Sequence, residues 1–165
     1  VLLGQPIETV TGRGAGLSNA GLCRKREAIA RAIARNHPDP ADAFSVLCCL
    51  GGLDIAALAG VCLGGALHHV PVLLDGFISA AAALAAVRMC PASGEYLLAS
   101  HVSKEPAGRL VLDALGLKPL ICAEMCLGEG TGAVAAMPLL DMALAVYGEM
   151  RTFAEIDVAA YTPQS

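Results

Sequence analysis

Residues 71–100 read PVLLDGFISAAAALAAVRMCPASGEYLLAS, and this stretch decides the fold class. Pro71 breaks what precedes it, and the apolar run that follows ends on Asp75-Gly76, as a short buried strand does. "FISAAAALAAVRMC" is too long and too rich in alanine for a strand and reads as a helix. "EYLLAS" is a second apolar strand. A strand, a helix and a strand, with the strands continuous rather than alternating in polarity, indicate a parallel sheet covered on both faces.

The alternation extends both ways. Upstream, Thr9-Val10-Thr11 predicts a short strand, then "GRGAGLSNAG" is a glycine-rich loop. Ser18 or Asn19 caps a helix over residues 20–36, with Leu22, Ala28, Ile29, Ala32 and Ile33 at helical spacing. Asp39, with Pro40 at the first helical position, predicts a helix to Leu50. Gly51-Gly52 breaks it, and Asp54 opens another to His68. Downstream, a helix is predicted from Glu105 to Leu115, closed by Gly116. "KPLI" and "EMC" are short strands, a long helix runs from Gly132 to Met150 around Pro138, and the tail is partly helical. The fold class is α/β, a parallel sheet with helices on both faces in a Rossmann-like three-layer arrangement, its helices rich in Ala and Gly. Residues 1–165 form a single domain. The chain begins at Val1 in what reads as a helix end and turn, so it is expected to be the C-terminal part of a longer chain.

Composition narrows the function. Apolar residues are 56% and charged ones 16%, which excludes a disordered chain. The net charge is −4, and the densest basic cluster, Arg24-Lys25-Arg26 with Arg31 and Arg35, reads as the solvated face of one helix, so no nucleic-acid partner is expected. The 7 cysteines include no CxxC pair and lie in apolar text, so they read as buried free thiols of a reducing cytoplasm, with no metal site. The opening residues lack a basic leader region. Residues 55–74 are uncharged but contain two adjacent His, several Gly and Pro71, and read as a buried helix and strand rather than a membrane span.

Polar and glycine residues collect where strands end, and in open α/β sheets that is where ligands bind. In "TGRGAG", Gly12, Gly14 and Gly16 resemble a dinucleotide fingerprint, but the third glycine is misplaced. The loop still suits a phosphate, because a helix N-terminus follows. Lys25 on that helix is either an anion ligand or a solvated lysine. In "SHVSKE", Ser103 or Ser100 gives a hydroxyl to a phosphate or ribose, Ser103 caps a helix, or both, and His101 reads as structural because no Ser-His-Asp pattern accompanies it. Asp75 orients a ligand or caps the next helix. Glu129, set among glycines in "LGEGTG", is a helix-start residue or a general base.

Several of these stretches agree in order and spacing with one family. "LGEGTGA" followed by "MPLLD", with "PVLLDGFISAAAAL", the text from Glu95 to Gly108 and "GGLDIAALAGVCLGGA", resembles the C-terminal half of nicotinate-nucleotide–dimethylbenzimidazole phosphoribosyltransferases, from "VTGRGAGL" to the last helix. The resemblance implies transfer of the 5-phosphoribosyl group of nicotinate mononucleotide to 5,6-dimethylbenzimidazole, giving α-ribazole 5′-phosphate and nicotinate on the way to the lower ligand of cobalamin. It makes Glu129 the general base, places the phosphate on Gly14, Lys25 and Ser103, borders the pocket with Leu127 and Gly128, and adds Asp75. It implies a homodimer with no cofactor and no metal. Two other readings stand beside it: a truncated, non-catalytic nucleotide-binding module, and a NAD-dependent oxidoreductase.

Overall fold

The computed structural model describes residues 1–159 and 162. In chain order its helices are α1 (Ile7–Val10), α2 (Asn19–Asn36), α3 (Ala43–Leu50), α4 (Leu53–Leu67), α5 (Phe77–Met89), α6 (Gly108–Leu115) and α7 (Thr131–Glu149). The strands are β1 (Val72–Leu74), between α4 and α5, and β2 (Leu97–Ala99), between α5 and α6. The strands pair in parallel, Val72 opposite Leu97 and Leu74 opposite Ala99.

The strand–helix–strand unit is the structural centre. α5 buries Ala80, Ala82, Ala83, Leu84, Ala85 and Ala86. With methyl side chains on most of its circumference, its backbone comes close to neighbours on several sides. It therefore walls two core clusters at once. One joins it to Ala59 and Cys62 of α4 and to Leu74 and Leu97. The other joins it to Ala99, to Val111 and Leu112 of α6, and to Ala107 just before that helix. Leu74, Leu97 and Ala99 share one sheet face because alternate strand residues point the same way. Leu98 points to the other and is 38% exposed.

Beyond β2 the sheet is shorter than expected. The strand predicted at "KPLI" is reduced to a parallel bridge between Ile121 and His101. The Leu120 N–H donates to the Ala99 carbonyl (3.0 Å) and that of Ile121 to Ser100 (2.9 Å). Pro119, just before, has no N–H to extend the ladder. No strand forms at "EMC", where Glu124 sits at φ 50, a left-handed conformation that ends an extended run.

Other local expectations also shift. Thr9-Val10-Thr11 is not a strand. The Pro6 carbonyl accepts from Thr9 (3.1 Å), Ile7 accepts from Thr11 (3.0 Å), and the segment closes as the turn α1. Asp39 does not cap a helix at Pro40. Its carboxylate accepts from Ala41 N–H in a separate turn, and Asp42 caps α3 through Phe44 N–H (both 2.9 Å). α6 starts at Gly108 rather than Glu105, because Ser103 and Glu105 close two preceding turns, onto Glu105 N–H (3.3 Å) and from Gly108 N–H (2.8 Å). The end of the tail, residues 160, 161 and 163–165, lies outside the described residues; Ala154–Ile156 form a short 3₁₀ turn.

Burial departs further. α4 buries only Ala59 and Cys62, and Leu53 at its start is 92% exposed, so the predicted buried helix has one covered stripe. Cys62 is buried, but Cys23, Cys48, Cys90, Cys122 and Cys126 are exposed, against the expectation of buried thiols. α7 buries only Gly132 and Ala136, and Tyr147 near its end is 90% exposed. By length and composition alone α7 is the one described helix able to cross a membrane; it carries Pro138 in its interior, and Asp141 follows. The chain exposes 10773 Å². A compact monomer of its mass, 16.7 kDa, exposes about 7,600 Å².

Two outcomes follow from this packing. Burial pushes the Cys62 thiol up, so it is both shielded and less ionised. Iodoacetamide should label Cys23, Cys90, Cys122 and Cys126 in the native chain and reach Cys62 only after denaturation, as read by peptide mapping; native labelling of Cys62 at the rate of Cys126 would contradict the core described. At Gly132, an added Cβ would land on the imidazole of His101. Gly132→Ala should cost about 1–3 kcal/mol by overpacking, measured by urea denaturation, and an unchanged midpoint would count against that contact.

Candidate functional site

The carboxyl ends of β1 and β2 open onto a cavity of about 750 Å³. Such a volume suits a small-molecule ligand. Gly12, Gly14 and Lys25 line it from the glycine loop and α2, Asp75 from the end of β1, and His101 and Ser103 from the segment after β2. Gly128 and Glu129 line it from the glycine turn before α7. The glycine loop, the two strand ends and the LGEGTG turn thus meet at one place. Leu127 does not join them: it is absent from the cavity lining and its side chain is 76% exposed.

The glycine loop is held from within. Arg13 donates to the Leu17 carbonyl (2.8 Å) and to the Asn19 side chain. Ser18 caps α2 by accepting from Gly21 N–H (3.1 Å). Lys25 is half-buried and folds back to donate from Nζ to the Gly12 carbonyl (2.9 Å). Arg26 likewise turns inward to the Glu8 carbonyl (2.9 Å), so the basic cluster is not simply a solvated face. Gly14 takes φ 55, a left-handed turn, and Lys25 Nζ lies close by. One carbonyl acceptor leaves the ammonium with further donors directed at the cavity.

Ser103 is not a helix cap. Its Oγ accepts from Glu105 N–H (3.3 Å), and α6 begins later with no side-chain cap. Among the described residues its hydroxyl proton meets no acceptor. Gly108 packs directly on the Ser103 backbone, where a side chain would collide. This fixes the Ser103 loop at the cavity wall. A surface pair ties the next loop alongside. Lys104 Nζ lies 3.0 Å from Glu124 Oε2, whose carboxylate pushes the Lys104 ammonium pKa up.

Asp75 does not cap the next helix, α5. Its Oδ1 accepts from Gly132 N–H (2.8 Å) and Ala133 N–H (3.1 Å), and its Oδ2 from Gly130 N–H (3.3 Å). It caps α7, more than fifty residues away in sequence. His101 is buried at 6% exposure, between Gly76 and Gly132, with Nδ1 3.1 Å from Ser100 Oγ.

That arrangement answers the question about Glu129. Its backbone is left-handed, at φ 56, between Gly128 at φ 78 and Gly130 at φ 77. Non-glycine residues seldom adopt this conformation, and where they do it marks turns and functional sites. The cap of α7 is Gly130, without a side-chain bond of its own, and Asp75 supplies the acceptor. Among the described residues the Glu129 side chain has no hydrogen-bond partner. It is not a helix-start group. The residue lines the cavity and is exposed.

Some residues escaped sequence reading. Glu105 was read only as a first-turn residue, yet its carboxylate lies over Gly12, where a Cβ would strike it. Gly132 was read only as the helix start, and its contact with His101 spans 31 positions in a way no local pattern signals. No grouping of three or more His, Cys, Asp and Glu suited to a metal occurs among the described residues. Chemically, a lysine, a free hydroxyl and a glycine loop can hold an anion at one wall, and a free carboxylate can take a proton at another.

Comparison with known proteins places this geometry. The chain is 51% identical over 159 residues to nicotinate-nucleotide–dimethylbenzimidazole phosphoribosyltransferase of Desulforudis audaxviator, covering 96% of this chain and 45% of that one. The enzyme of the same name from Chloroflexus aggregans is 50% identical, with the same coverages. The crystal structure of CobT from Thermus thermophilus superposes with a TM-score of 0.87 at 47% identity, covering 96% of this chain and 47% of that one. The chain thus spans about half the length of the relatives it matches. Residues 1–158 match the model of a family described as phosphoribosyltransferase, and the chain belongs to that family.

Proposed function

We propose that this chain carries the base and the phosphate end of an enzyme that moves the 5-phosphoribosyl group of nicotinate mononucleotide to 5,6-dimethylbenzimidazole. The observation that carries the reading is the free carboxylate of Glu129, held by a left-handed turn at the same cavity as Lys25, Gly14 and Ser103. The relatives' names supply the substrates.

In this reading the phosphate rests on Lys25, the Ser103 hydroxyl and the amides of the glycine loop, where charge-assisted bonds are strong. The benzimidazole places its N–H against Glu129. As the carboxylate takes that proton, the other ring nitrogen donates its electron pair to C1′ of the ribose. The C1′–N bond to nicotinate breaks, and its electron pair neutralises the positive pyridinium nitrogen. Attack from the face opposite nicotinate inverts C1′ and gives the α-linkage. The protein contributes a positioned base and two reactants held together. Gly128 would border the same pocket through its backbone. The products are α-ribazole 5′-phosphate and nicotinate, and the place in metabolism is synthesis of the cobalamin lower ligand in the cytoplasm. The exposed apolar residues of α7 support association into a homodimer, with no nucleic acid, membrane or cofactor involved.

The purified chain, incubated with nicotinate mononucleotide and dimethylbenzimidazole, should form α-ribazole phosphate detectable by mass. Glu129→Gln should lower the rate about 10²–10⁴-fold, the usual contribution of a general base, while mononucleotide binding stays within a factor of a few. Full activity of Glu129→Gln would remove it as the base. Mononucleotide binding with no product from the unaltered chain would identify a non-catalytic module instead. Lys25→Ala should weaken mononucleotide binding about 10–100-fold, as expected for loss of a hydrogen bond to a charged group, and isothermal titration measures it. Unchanged affinity would place the phosphate elsewhere.

A further inference from the structure

The geometry assigns Asp75 to a role other than ligand binding: it is the positioning residue for Glu129. A helix begins with N–H groups that have no partner inside the helix. At α7 those groups can be followed one by one. Thr131 N–H turns back to the Gly128 carbonyl (3.0 Å), and Val134 N–H makes the first helical bond to Gly130 (3.0 Å). The remaining N–H groups, of Gly130, Gly132 and Ala133, all point to the Asp75 carboxylate. A carboxylate at this end also suits the helix dipole.

Asp75 is in turn fixed to the sheet. Its carbonyl accepts from Ser100 Oγ (2.8 Å), and Ser100 N–H donates to Leu74 (3.1 Å). The chain from β2 through Ser100 and Asp75 to α7 is therefore continuous. α7 has little else to hold it, since only Gly132 and Ala136 are buried along its length. Glu129 directly precedes Gly130, the residue bound to Oδ2, and lies inside the turn that Thr131 closes from its N–H (3.0 Å) and Oγ1 (2.7 Å) onto the Gly128 carbonyl, so Asp75 sets where that turn sits against the sheet. Without the carboxylate, the turn loses its tether and the side chain of Glu129 its direction. Most acceptor positions of Asp75 face the helix, so it has little capacity left for a substrate.

This inference rests on the reading of Glu129 as the base, and the test separates the two. Amide hydrogen exchange of the unaltered chain and of Asp75→Asn is followed by NMR, together with steady-state kinetics. Asn keeps the size of Asp75 but brings an NH₂ toward the helix N–H groups. Exchange at Gly132 and Ala133 should quicken about tenfold or more, as a charged acceptor is lost. The turnover number should fall at least about tenfold with KM for the mononucleotide nearly unchanged, because orientation is lost and not binding. Asp75→Glu, which keeps the charge and moves it by one methylene, should restore much of the protection and part of the rate, and serves if Asp75→Asn folds poorly. Ser100→Ala removes the hydroxyl that holds the Asp75 carbonyl and should quicken the same exchange by less than Asp75→Asn does, because the Ser100 N–H still holds Leu74 and the carboxylate is intact. Unchanged exchange in Asp75→Asn overturns the inference whatever Glu129 does. A rise in KM at constant turnover also overturns it, by making Asp75 a substrate ligand. If exchange quickens in Asp75→Asn while Glu129→Gln is fully active, the tether stands and the base assignment fails.

Discussion

One carboxylate at the end of a three-residue strand gathers the N–H groups that a nineteen-residue helix leaves open. Most of what distinguishes this site depends on that meeting. Unpaired donors at a helix start are costly away from water, and a negative charge there is favoured by the dipole of the helix. The solution is long-range: Asp75 belongs to the strand–helix–strand unit, and α7 is added to it from far along the chain. Because the acceptor comes from elsewhere, the cap position needs no side chain of its own, and Gly130 fills it in a left-handed conformation. Glu129, one residue earlier, takes no part in capping and keeps its carboxylate unbonded among the described residues.

The central unit was readable because its signals are local and redundant. Pro71, the apolar run to Leu74, the alanines from Ala80 to Ala86 and the second run at Leu97 each point to the same element as their neighbours. Where a signal depends on a partner, reading failed. Thr9-Val10-Thr11 has the side chains of a strand, but β preference reflects packing against neighbouring strands more than the backbone itself. With no strand beside it, the segment closes on Pro6. "KPLI" had a neighbour, but Pro119 shortened the ladder to a bridge at Ile121.

The candidate site divides in the same way. That Asp75, Ser103 and Glu129 converge was inferable from loops at strand ends, while Gly14 and Lys25 were brought to the same site by the family resemblance. How each is held was not. Lys25 is turned onto Gly12, Ser103 forms a turn ahead of its helix, and Asp75 serves a helix other than the next one. Lys25 reaches back thirteen residues and Asp75 forward more than fifty, and two glycines make room for close approaches, Gly108 to the Ser103 backbone and Gly132 to the His101 ring. A glycine in a sequence announces freedom. What it makes room for is visible only in three dimensions.

The surface of the chain has a thermodynamic consequence. It exposes roughly 3,000 Å² more than a compact body of its mass, an area on the scale of a permanent subunit interface. Much of α7 lies in that excess. Any surface that covers it and does not bind the unfolded chain shifts the folding equilibrium by mass action. The stability of this chain is then not a constant of its sequence. It varies with concentration and with company, and a melting temperature has meaning only once both are stated.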